Sequence, residues 1–192
     1  MKMLLWIVVS ISASLAEAQV ISPGGCPPLQ VVQQFDLGAY LGRWYEFKKF
    51  YAIFQENGEC ATATYKENLN GTISVKNYLI DGKTGLSEII YGHATVDSTT
   101  GEGKLRVNFP SAGAFDGAYW VIGTDYVNYA VVWSCTESGN VNIQFSWVLT
   151  RQRFPSLETL ALAEQVIEAN NLQKDKYVIT NQHNCLVCRN RK

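Results

Sequence analysis

The chain has 192 residues, of which 16 are basic and 17 acidic, giving a formal net charge of −1 at pH 7. This balance, with no basic stripe, lacks the electrostatic footprint of a nucleic-acid-binding protein, so no nucleic-acid partner is expected. The length is sufficient for one domain with a sizeable hydrophobic core.

Residues 1–18 have the pattern of a secretory signal peptide. Lys2 supplies a positive charge, an apolar run extends from Leu4 to Leu15, and the A-x-A sequence that ends at Ala18 is a cleavage site. The run is shorter than the ~20 apolar residues of a membrane span. We therefore expect a secreted, extracellular protein whose single domain comprises residues 19–192.

Short apolar segments separated by turn sequences extend from Arg43 to Thr150. Asn-Gly, Asp-Gly and Ser-Gly pairs mark several of the turns. The spacing predicts eight strands, at 43–51, 60–66, 72–80, 86–96, 103–109, 117–124, 128–136 and 141–150. No helical segments alternate with these strands, so the pattern favours an antiparallel meander, folded as a sandwich or a barrel.

The last of these strands has the clearest alternation. Polar residues occupy most of the positions between its apolar residues, so we expect one face in the core and the other in water. A wet outer face favours a closed sheet, and about eight strands can enclose one small ligand. The apolar face consists of Val141, Ile143, Phe145, Trp147 and Leu149.

One helix is predicted after the eight strands. Ser156 is a favourable N-cap, Glu158 lies in the first turn, where the helix dipole favours an acid, and Asn170 follows the last turn. Residues 177–179 are a candidate short ninth strand. The apolar stripe that should pack the helix against the outside of the sheet consists of Leu157, Leu160, Ala163, Val166 and Ile167.

Cysteine usage agrees with export. Two disulfides and one remaining thiol are expected, and spacing alone does not choose the pairs. The C-x-x-C pair lacks the context of a redox motif and a second pair to complete a zinc site, so no metal site is predicted. The cysteines are Cys26, Cys60, Cys135, Cys185 and Cys188.

Asn70-Gly71-Thr72 is a glycosylation acceptor on a predicted hairpin turn.

Three motifs, in order along the chain, resemble the signature regions of the lipocalin family. They are G-x-W at the first predicted strand, T-D-Y between the sixth and seventh, and an arginine after the eighth: Gly42, Trp44, Thr124, Asp125, Tyr126 and Arg151. Segments 40–46, 54–60 and 118–130 are most similar to the apolipoprotein D-like members of that family and their insect bilin-binding relatives. The resemblance implies an all-β fold, an eight-stranded antiparallel up-and-down β-barrel with one C-terminal α-helix packed outside.

The resemblance also implies structural roles for the motif residues. Trp44 would close one end of the barrel with Arg151 stacked across it, and Asp125 would fix the neighbouring turn. A guanidinium on an indole face is worth about 0.5–2 kcal/mol. These residues are therefore expected to be structural and not to form part of a ligand site.

The disulfide pairing implied by the resemblance joins Cys26 to Cys135 and Cys60 to Cys185. Cys188 is then unmatched. It could replace Cys185 as the partner of Cys60, or form an intermolecular bridge that makes a homo-oligomer.

The barrel interior is the expected ligand site. The resemblance implies a small hydrophobic ligand such as a fatty acid, a sterol, a retinoid or a similar lipid, with biliverdin or another bilin as the alternative, and no other cofactor. An apolar rim formed by Phe54, Phe109 and Phe115 is a candidate contact with a lipoprotein or a membrane surface. The expected lining residues are Tyr65, Asn77, Tyr119, Val121, Phe145, Trp147 and Leu149.

Two other classes of function, a haem carrier and a lipid-modifying enzyme, depend on residue types that are scarce in this chain. A haem carrier needs an axial histidine inside the barrel, and the chain contains only His93 and His183. A lipid-modifying enzyme needs an activated nucleophile in the cavity. Two histidines offer no Ser–His–acid set, Cys60 is expected to be oxidised, and Cys188 lies in the tail. We therefore expect a carrier and not an enzyme.

Overall fold

The computed structural model describes residues 19–112 and 115–185, so the predicted signal peptide and Cys188 lie outside the described residues. This part of the chain forms ten strands and two α-helices. The strands are β1 (Val20–Pro23), β2 (Gly42–Phe50), β3 (Gly58–Glu67), β4 (Ile73–Asp81), β5 (Ser87–Val96), β6 (Lys104–Phe109), β7 (Phe115–Thr124), β8 (Tyr129–Ser138), β9 (Val141–Thr150) and β10 (Tyr177–Ile179). The helices are α1 (Leu37–Tyr40) and α2 (Leu157–Ala169), and short 3-10 turns occur at Ile53–Gln55, Pro110–Ala112 and Lys174–Lys176.

Strands β2 to β9 form a closed antiparallel barrel. Each strand pairs with the next along the chain, and β9 pairs back with β2 to complete the ring. Strand β1 adds to β9, and β10 adds to β2. The predicted eight-stranded barrel and the short ninth strand at 177–179 are confirmed, whereas β1 and α1 were not predicted. No described helix has the length and apolar character needed to cross a membrane.

Helix α2 packs on the outside of the barrel, as predicted. The Ser156 hydroxyl accepts a hydrogen bond from the Thr159 backbone N–H and caps the first turn. Ala163 and Ile167 are buried against the sheet. The predicted place of Leu157 in the apolar stripe is wrong, because this first residue of the helix lies clear of the sheet and is 86% exposed.

The contact between α2 and the sheet depends on a glycine in β7. A Cβ atom at Gly123 would lie only 2.6 Å from the Val166 side chain. The missing side chain therefore allows the helix to approach the strand closely. The outer core that results includes Ile122, Val131 and Trp133.

The outer face of β9 is buried, so the prediction that it lies in water is wrong. The segment that follows β1 covers it: the Asn142 side-chain amide donates to the Gly25 carbonyl at 2.9 Å and to the Gly24 carbonyl at 3.2 Å. The Gln144 amide donates to the Asn142 side-chain oxygen at 2.8 Å, and the Ser146 hydroxyl donates to a β8 carbonyl. Polar side chains fit on this buried face because each is hydrogen-bonded.

Two disulfides tie the terminal segments to the barrel, and both predicted pairs are confirmed. Cys26 is bonded to Cys135 on β8, and Cys60 on β3 to Cys185. The bonded residues are 109 and 125 positions apart in sequence. Chain-entropy arguments give about 4–5 kcal/mol for loops of this length.

The buried amide of Asn142 leads to a stability prediction. We expect Asn142→Ala to lower the free energy of unfolding by about 1–3 kcal/mol, because two glycine carbonyls and the Gln144 amide lose their buried partner. Denaturant titration monitored by Trp fluorescence measures the change. Asn140→Ala, in the exposed turn before β9, is the matched control and should have little effect. An equal loss in both variants would contradict the assignment.

Candidate functional site

The barrel contains one large cavity among the described residues, with a volume of about 490 Å³. This volume lies within the range of about 300–1,000 Å³ that is typical of small-molecule sites. Its walls come from β2 to β9, with Phe54 and Gln55 from the β2–β3 connection and Ser111 from the β6–β7 connection. The cavity therefore opens at the end of the barrel where these connections lie.

The floor of the cavity is a chain of three tyrosines. The Tyr119 hydroxyl is hydrogen-bonded to those of Tyr40 and Tyr65, both at 2.8 Å. Burial raises the pKa of Tyr65 to about 12 and holds the pKa values of Tyr40 and Tyr119 well above the ordinary tyrosine value. All three are neutral phenols at physiological pH, so the floor is polar but uncharged.

Below the floor, Trp44 and Arg151 close the barrel. The Arg151 guanidinium carbon lies 3.7 Å from the centre of the Trp44 ring, and the Trp44 indole N–H donates to the Tyr40 carbonyl at 2.9 Å. The guanidinium also donates to four backbone carbonyls, at Ala39, Tyr40, Arg43 and Tyr126. The stacking implied by the resemblance is therefore present, and it makes the cavity blind at this end.

Gly42 is required at this closed end for two reasons. Its φ angle is +96°, in the region that disfavours residues with a side chain. A Cβ atom there would also stand 3.3 Å from an Arg151 terminal nitrogen. The glycine two residues before Trp44 thus makes room for the arginine that covers the indole.

Asp125 holds the turn between β7 and β8. Its carboxylate accepts hydrogen bonds from the backbone N–H groups of Val127, Asn128 and Tyr129 and from the Asn128 side chain. Partial burial acts to raise the pKa of Asp125, but these hydrogen bonds together lower it below the ordinary value. Thr124 Oγ1 accepts from the Tyr126 N–H and donates to the Tyr129 carbonyl, which completes the turn.

A buried carboxylate lies in the cavity wall near the mouth. Glu46 is 4% exposed, and it receives hydrogen bonds from Lys49 and Thr180 at 2.6 Å each and from Gln55 at 2.9 Å. Gln55 in turn accepts from the Trp147 indole N–H at 3.0 Å. Glu46 therefore links β2 to the β2–β3 connection and to the segment that follows β10.

Six of the seven predicted lining residues are in the cavity wall, namely Tyr65, Asn77, Tyr119, Phe145, Trp147 and Leu149. The exception is Val121, which is not in the cavity wall. It lies two residues beyond Tyr119 towards the closed end of β7, where core side chains fill the barrel. The Asn77 side-chain oxygen is buried and has no hydrogen-bond partner among the described residues. Ligand contact by the six residues stays a prediction.

The predicted apolar rim is present in part. Phe54 is 58% exposed beside the mouth and packs on Phe145, and Phe109 is a half-buried lining residue. The backbone of Phe115 begins β7, but its side chain lies outside the described part of the structure. Ile53, Leu86 and Ile89 add exposed apolar surface at the same end.

Neither histidine lines the cavity. His93 is exposed on β5, and His183 is exposed in the segment after β10. The described cavity wall therefore offers no histidine to ligate a haem iron or to complete a Ser–His–acid set.

Glu46 and Gln55 are two of the polar lining residues that sequence reasoning missed. A signal for Glu46 was available, because Trp44 was expected inside the barrel and side chains alternate along a strand. The residue two positions after Trp44 therefore shares its inward face. No comparable signal existed for Gln55, whose position depends on the fold of a connection.

Comparison with known proteins agrees with this geometry. A sequence model of the Lipocalin / cytosolic fatty-acid binding protein family matches residues 41–184, so the chain belongs to that family. It is 38% identical to the apolipoprotein D of Oryctolagus cuniculus, over 90% of each chain. It is also 33% identical to the Lazarillo protein of Schistocerca americana, over 92% of this chain and 81% of the relative.

Solved structures also agree with the fold. The insecticyanin structure from Manduca sexta superimposes with a TM-score of 0.76 at 24% identity, over 85% of this chain and 89% of the other. Lobster apocrustacyanin A1 gives a TM-score of 0.71 at 22% identity, over 84% and 91%. At such low identity these two structures establish the fold alone.

The hydrogen bonds to Asp125 lead to a pH-dependent prediction. Because its pKa is lowered on folding, the ionised carboxylate stabilises the fold above the unfolded-state pKa of about 3.9, and this contribution is lost as pH falls through the folded-state pKa. We expect Asp125→Asn to reduce the free energy of unfolding by about 0.5–1 kcal/mol at neutral pH, after allowance for solvent screening.

Denaturant titrations across the acid range measure this difference. The difference in the free energy of unfolding between Asp125→Asn and the natural protein should disappear as pH falls. Asp175→Asn, at an exposed position whose ion pair with Lys176 is solvated, is the control and should leave the free energy of unfolding nearly unchanged. A gap for Asp125→Asn that does not change with pH would contradict the role of its charge.

Proposed function

We propose that the protein binds and carries a small hydrophobic ligand in the barrel cavity. The observation that carries the proposal is the cavity itself: it is closed below by Trp44 and Arg151, open above, and lined mainly by apolar and aromatic side chains. Burial of apolar surface at about 25 cal/mol per Å² supports micromolar binding after the cost of association. Membership in the lipocalin family supports the same function.

A bilin chromoprotein is the second candidate, and it would use the same cavity. Similarity to insecticyanin, at 25% identity over 81% of this chain for Insecticyanin-B of Manduca sexta, keeps this candidate in consideration. An enzyme or a haem carrier is a weaker proposal, because both histidines lie outside the cavity wall.

The proposal includes export. The two disulfides agree with an oxidising compartment. Asn70 is exposed on the β3–β4 turn, at the closed end of the barrel, so a glycan there would leave the cavity mouth free. Glycosylation of Asn70 and an intermolecular bridge through Cys188 stay predictions.

Ligand binding is tested by titrating the delipidated protein with retinol, a fatty acid and biliverdin while Trp fluorescence is measured. We expect saturable quenching by at least one of them, since Trp147 lines the cavity. Trp147→Phe should remove most of the response. Trp120→Phe is the matched control, because this indole packs on the outer face against Trp133 and Lys104.

The outcomes separate the candidates. A colourless protein quenched by retinol or a fatty acid supports a lipid carrier. A visible absorption band in protein purified from its natural source, with saturable biliverdin quenching, supports the bilin chromoprotein. No saturable response to any of the three ligands would overturn the carrier function.

The exposed rim at the mouth supports a second part of the proposal, which is contact with a lipid surface during ligand exchange. We expect the double variant Phe54→Ser, Leu86→Ser to bind phosphatidylcholine vesicles at least about fivefold more weakly, since exposed apolar area drives such binding. Co-sedimentation measures it. Leu69→Ser is the control, because Leu69 is fully exposed at the closed end. Equal losses in both proteins, or no binding by the natural protein, would contradict this contact.

A further inference from the structure

We propose that residues 177–185 form a removable side wall of the cavity, and that the Cys60–Cys185 disulfide is the latch that holds it. Reduction of this bond by a dithiol frees the segment and opens a second route into the cavity, between β2 and β3. The proposal concerns regulation of the cavity described above, and the part that concerns ligand exchange rests on the proposed carrier function. Residues 177–185 are called the closing segment below.

The ring of strands is split between β2 and β3. The two strands pair where residues 42–45 of β2 meet residues 62–65 of β3, near the closed end. Towards the mouth β2 continues to Phe50 and β3 begins at Gly58, but no further pairing joins them in the described part of the chain. There β10, the first part of the closing segment, pairs with residues 48–50 of β2 in place of β3.

Backbone hydrogen bonds hold the closing segment to both sides of the split. The Thr180 N–H donates to the Phe47 carbonyl of β2 at 2.9 Å. On the other side, the Cys60 N–H of β3 donates to the Asn181 carbonyl at 2.8 Å. The closing segment therefore lies between the two strands as a wedge that is bonded to each of them.

The Gln182 side chain spans the split directly. This buried amide donates to the carbonyl of Glu46 on β2 at 2.9 Å and to that of Ala61 on β3 at 2.8 Å. The Thr180 hydroxyl donates to the Glu46 carboxylate at 2.6 Å. Glu46 and Ala61 both line the cavity. The closing segment is therefore the layer directly behind this part of the cavity wall.

Few apolar contacts hold the closing segment in place. Its beginning is anchored, because the ring centroids of Tyr177 and Phe50 lie 4.5 Å apart and the Tyr177 hydroxyl is hydrogen-bonded to Ser146 at 2.6 Å. Beyond Val178 the segment buries no large apolar side chain, and Ile179 is 73% exposed. Each hydrogen bond adds only modest net stability, so the disulfide is the main restraint on the far end of the segment.

The backbone at the latch also favours release. Cys60 has a φ angle of +56°, in the left-handed region that residues with a side chain rarely adopt. Such a conformation persists only where surrounding contacts hold it. The contacts here are the disulfide and the hydrogen bond from the Cys60 N–H to the closing segment. Loss of the disulfide therefore removes one of the two restraints.

Departure of the closing segment leaves an opening large enough for a ligand. Neighbouring strands lie about 4.8 Å apart, so removal of a strand from between β2 and β3 leaves these two about 10 Å apart. A hydrocarbon chain or a flat ring system passes through an opening of this width. The opening reaches the cavity beside Glu46 and Ala61, so the ligand gains a lateral route in addition to the mouth.

The redox step is a thiol–disulfide exchange. A thiolate of the dithiol attacks Sγ of Cys185, the more exposed of the two cysteines, and the S–S bond breaks as Cys60 leaves and takes up a proton. The second thiol of the reagent then displaces Cys185, which also takes up a proton, and a cyclic disulfide forms within the reagent. Two electrons pass from the dithiol to the protein.

The test uses two variants that each keep a single disulfide, measured with and without dithiothreitol. The first keeps the latch, and the second keeps the bridge of the N-terminal segment, which closes a loop of similar length. Cys188 is replaced in both, so that no third thiol can pair. The substitutions are Cys26→Ser, Cys135→Ser and Cys188→Ser in the first variant, and Cys60→Ser, Cys185→Ser and Cys188→Ser in the second.

Hydrogen exchange followed by mass spectrometry measures the opening without any ligand. In the first variant we expect dithiothreitol to speed exchange at least about tenfold in peptides that cover residues 58–62 and 177–182, because local opening becomes more frequent. Peptides of β8, in the outer core, should stay protected over the same interval, since their exchange needs global unfolding. In the second variant exchange at the split should be fast with and without the reagent.

Retinol dissociation measures the lateral route. The retinol-loaded, full-length variants are mixed with excess phosphatidylcholine vesicles, and the loss of retinol fluorescence from the protein is followed by stopped flow. We expect dithiothreitol to raise the dissociation rate at least about fivefold in the first variant, because a second exit becomes available. The rate should change by less than about twofold in the second variant.

A variant that keeps both disulfides tests the split independently, and it decides the question if a single-bridge variant does not fold. Gln182→Ala removes the side chain that spans β2 and β3. We expect exchange in the same peptides to rise at least about threefold. Gln165→Ala, at an exposed position of α2, is the matched control and should leave that exchange unchanged.

Four results would overturn the proposal. They are no effect of dithiothreitol on exchange at the split in the first variant, an equal rise in β8, faster exchange with an unchanged retinol dissociation rate, and equal exchange in Gln182→Ala and Gln165→Ala. Failure of the natural protein to bind retinol counts against the carrier function and removes the lateral route with it. The exchange measurements then decide the side wall and its latch by themselves.

Discussion

The contact of the Arg151 guanidinium with the Trp44 indole is the constraint on which the rest of the structure depends. One side chain covers the aromatic ring and donates to four backbone carbonyls, which come from α1, from β2 and from the turn after β7. It therefore joins the beginning of the barrel to its end. The pairing of β9 with β2 closes the ring of strands, and this contact covers one end of it, so that the interior is a blind cavity.

Closure at one end divides the barrel interior into two parts. Below, side chains such as Val121 and Tyr40 fill the space and form the inner core. Above, the same strands enclose a space of about 490 Å³. The polar groups in its wall include the neutral phenols of Tyr65 and Tyr119 at the floor, the Asn77 side chain and the Glu46 carboxylate. The fold supplies the cavity, and polar groups in the wall of such a site are the ones that can orient a bound ligand.

Much of the barrel could be predicted from local patterns, because antiparallel strands joined by short turns show their alternation in sequence. The features that the sequence did not predict depend on contacts between residues that are distant along the chain. Strand β1 is four residues long and exists through its pairing with β9. The alternation of residues on β9 distinguished an apolar face from a polar face. It did not indicate that the segment after β1 covers the polar face. The pairing of Glu46 with Lys49 follows a β-bulge in β2, which no local pattern indicates.

The most direct test of the carrier account is the position of the bound ligand, measured by NMR chemical-shift changes on addition of retinol. The account predicts saturable changes in the backbone amides of Asn77, Tyr119 and Trp147, which line the cavity, and small changes at Trp133 and Ile167 in the outer core. Saturable changes confined to the outer core would contradict it. They would mean that the ligand binds outside the barrel and that the closed end does not define the site.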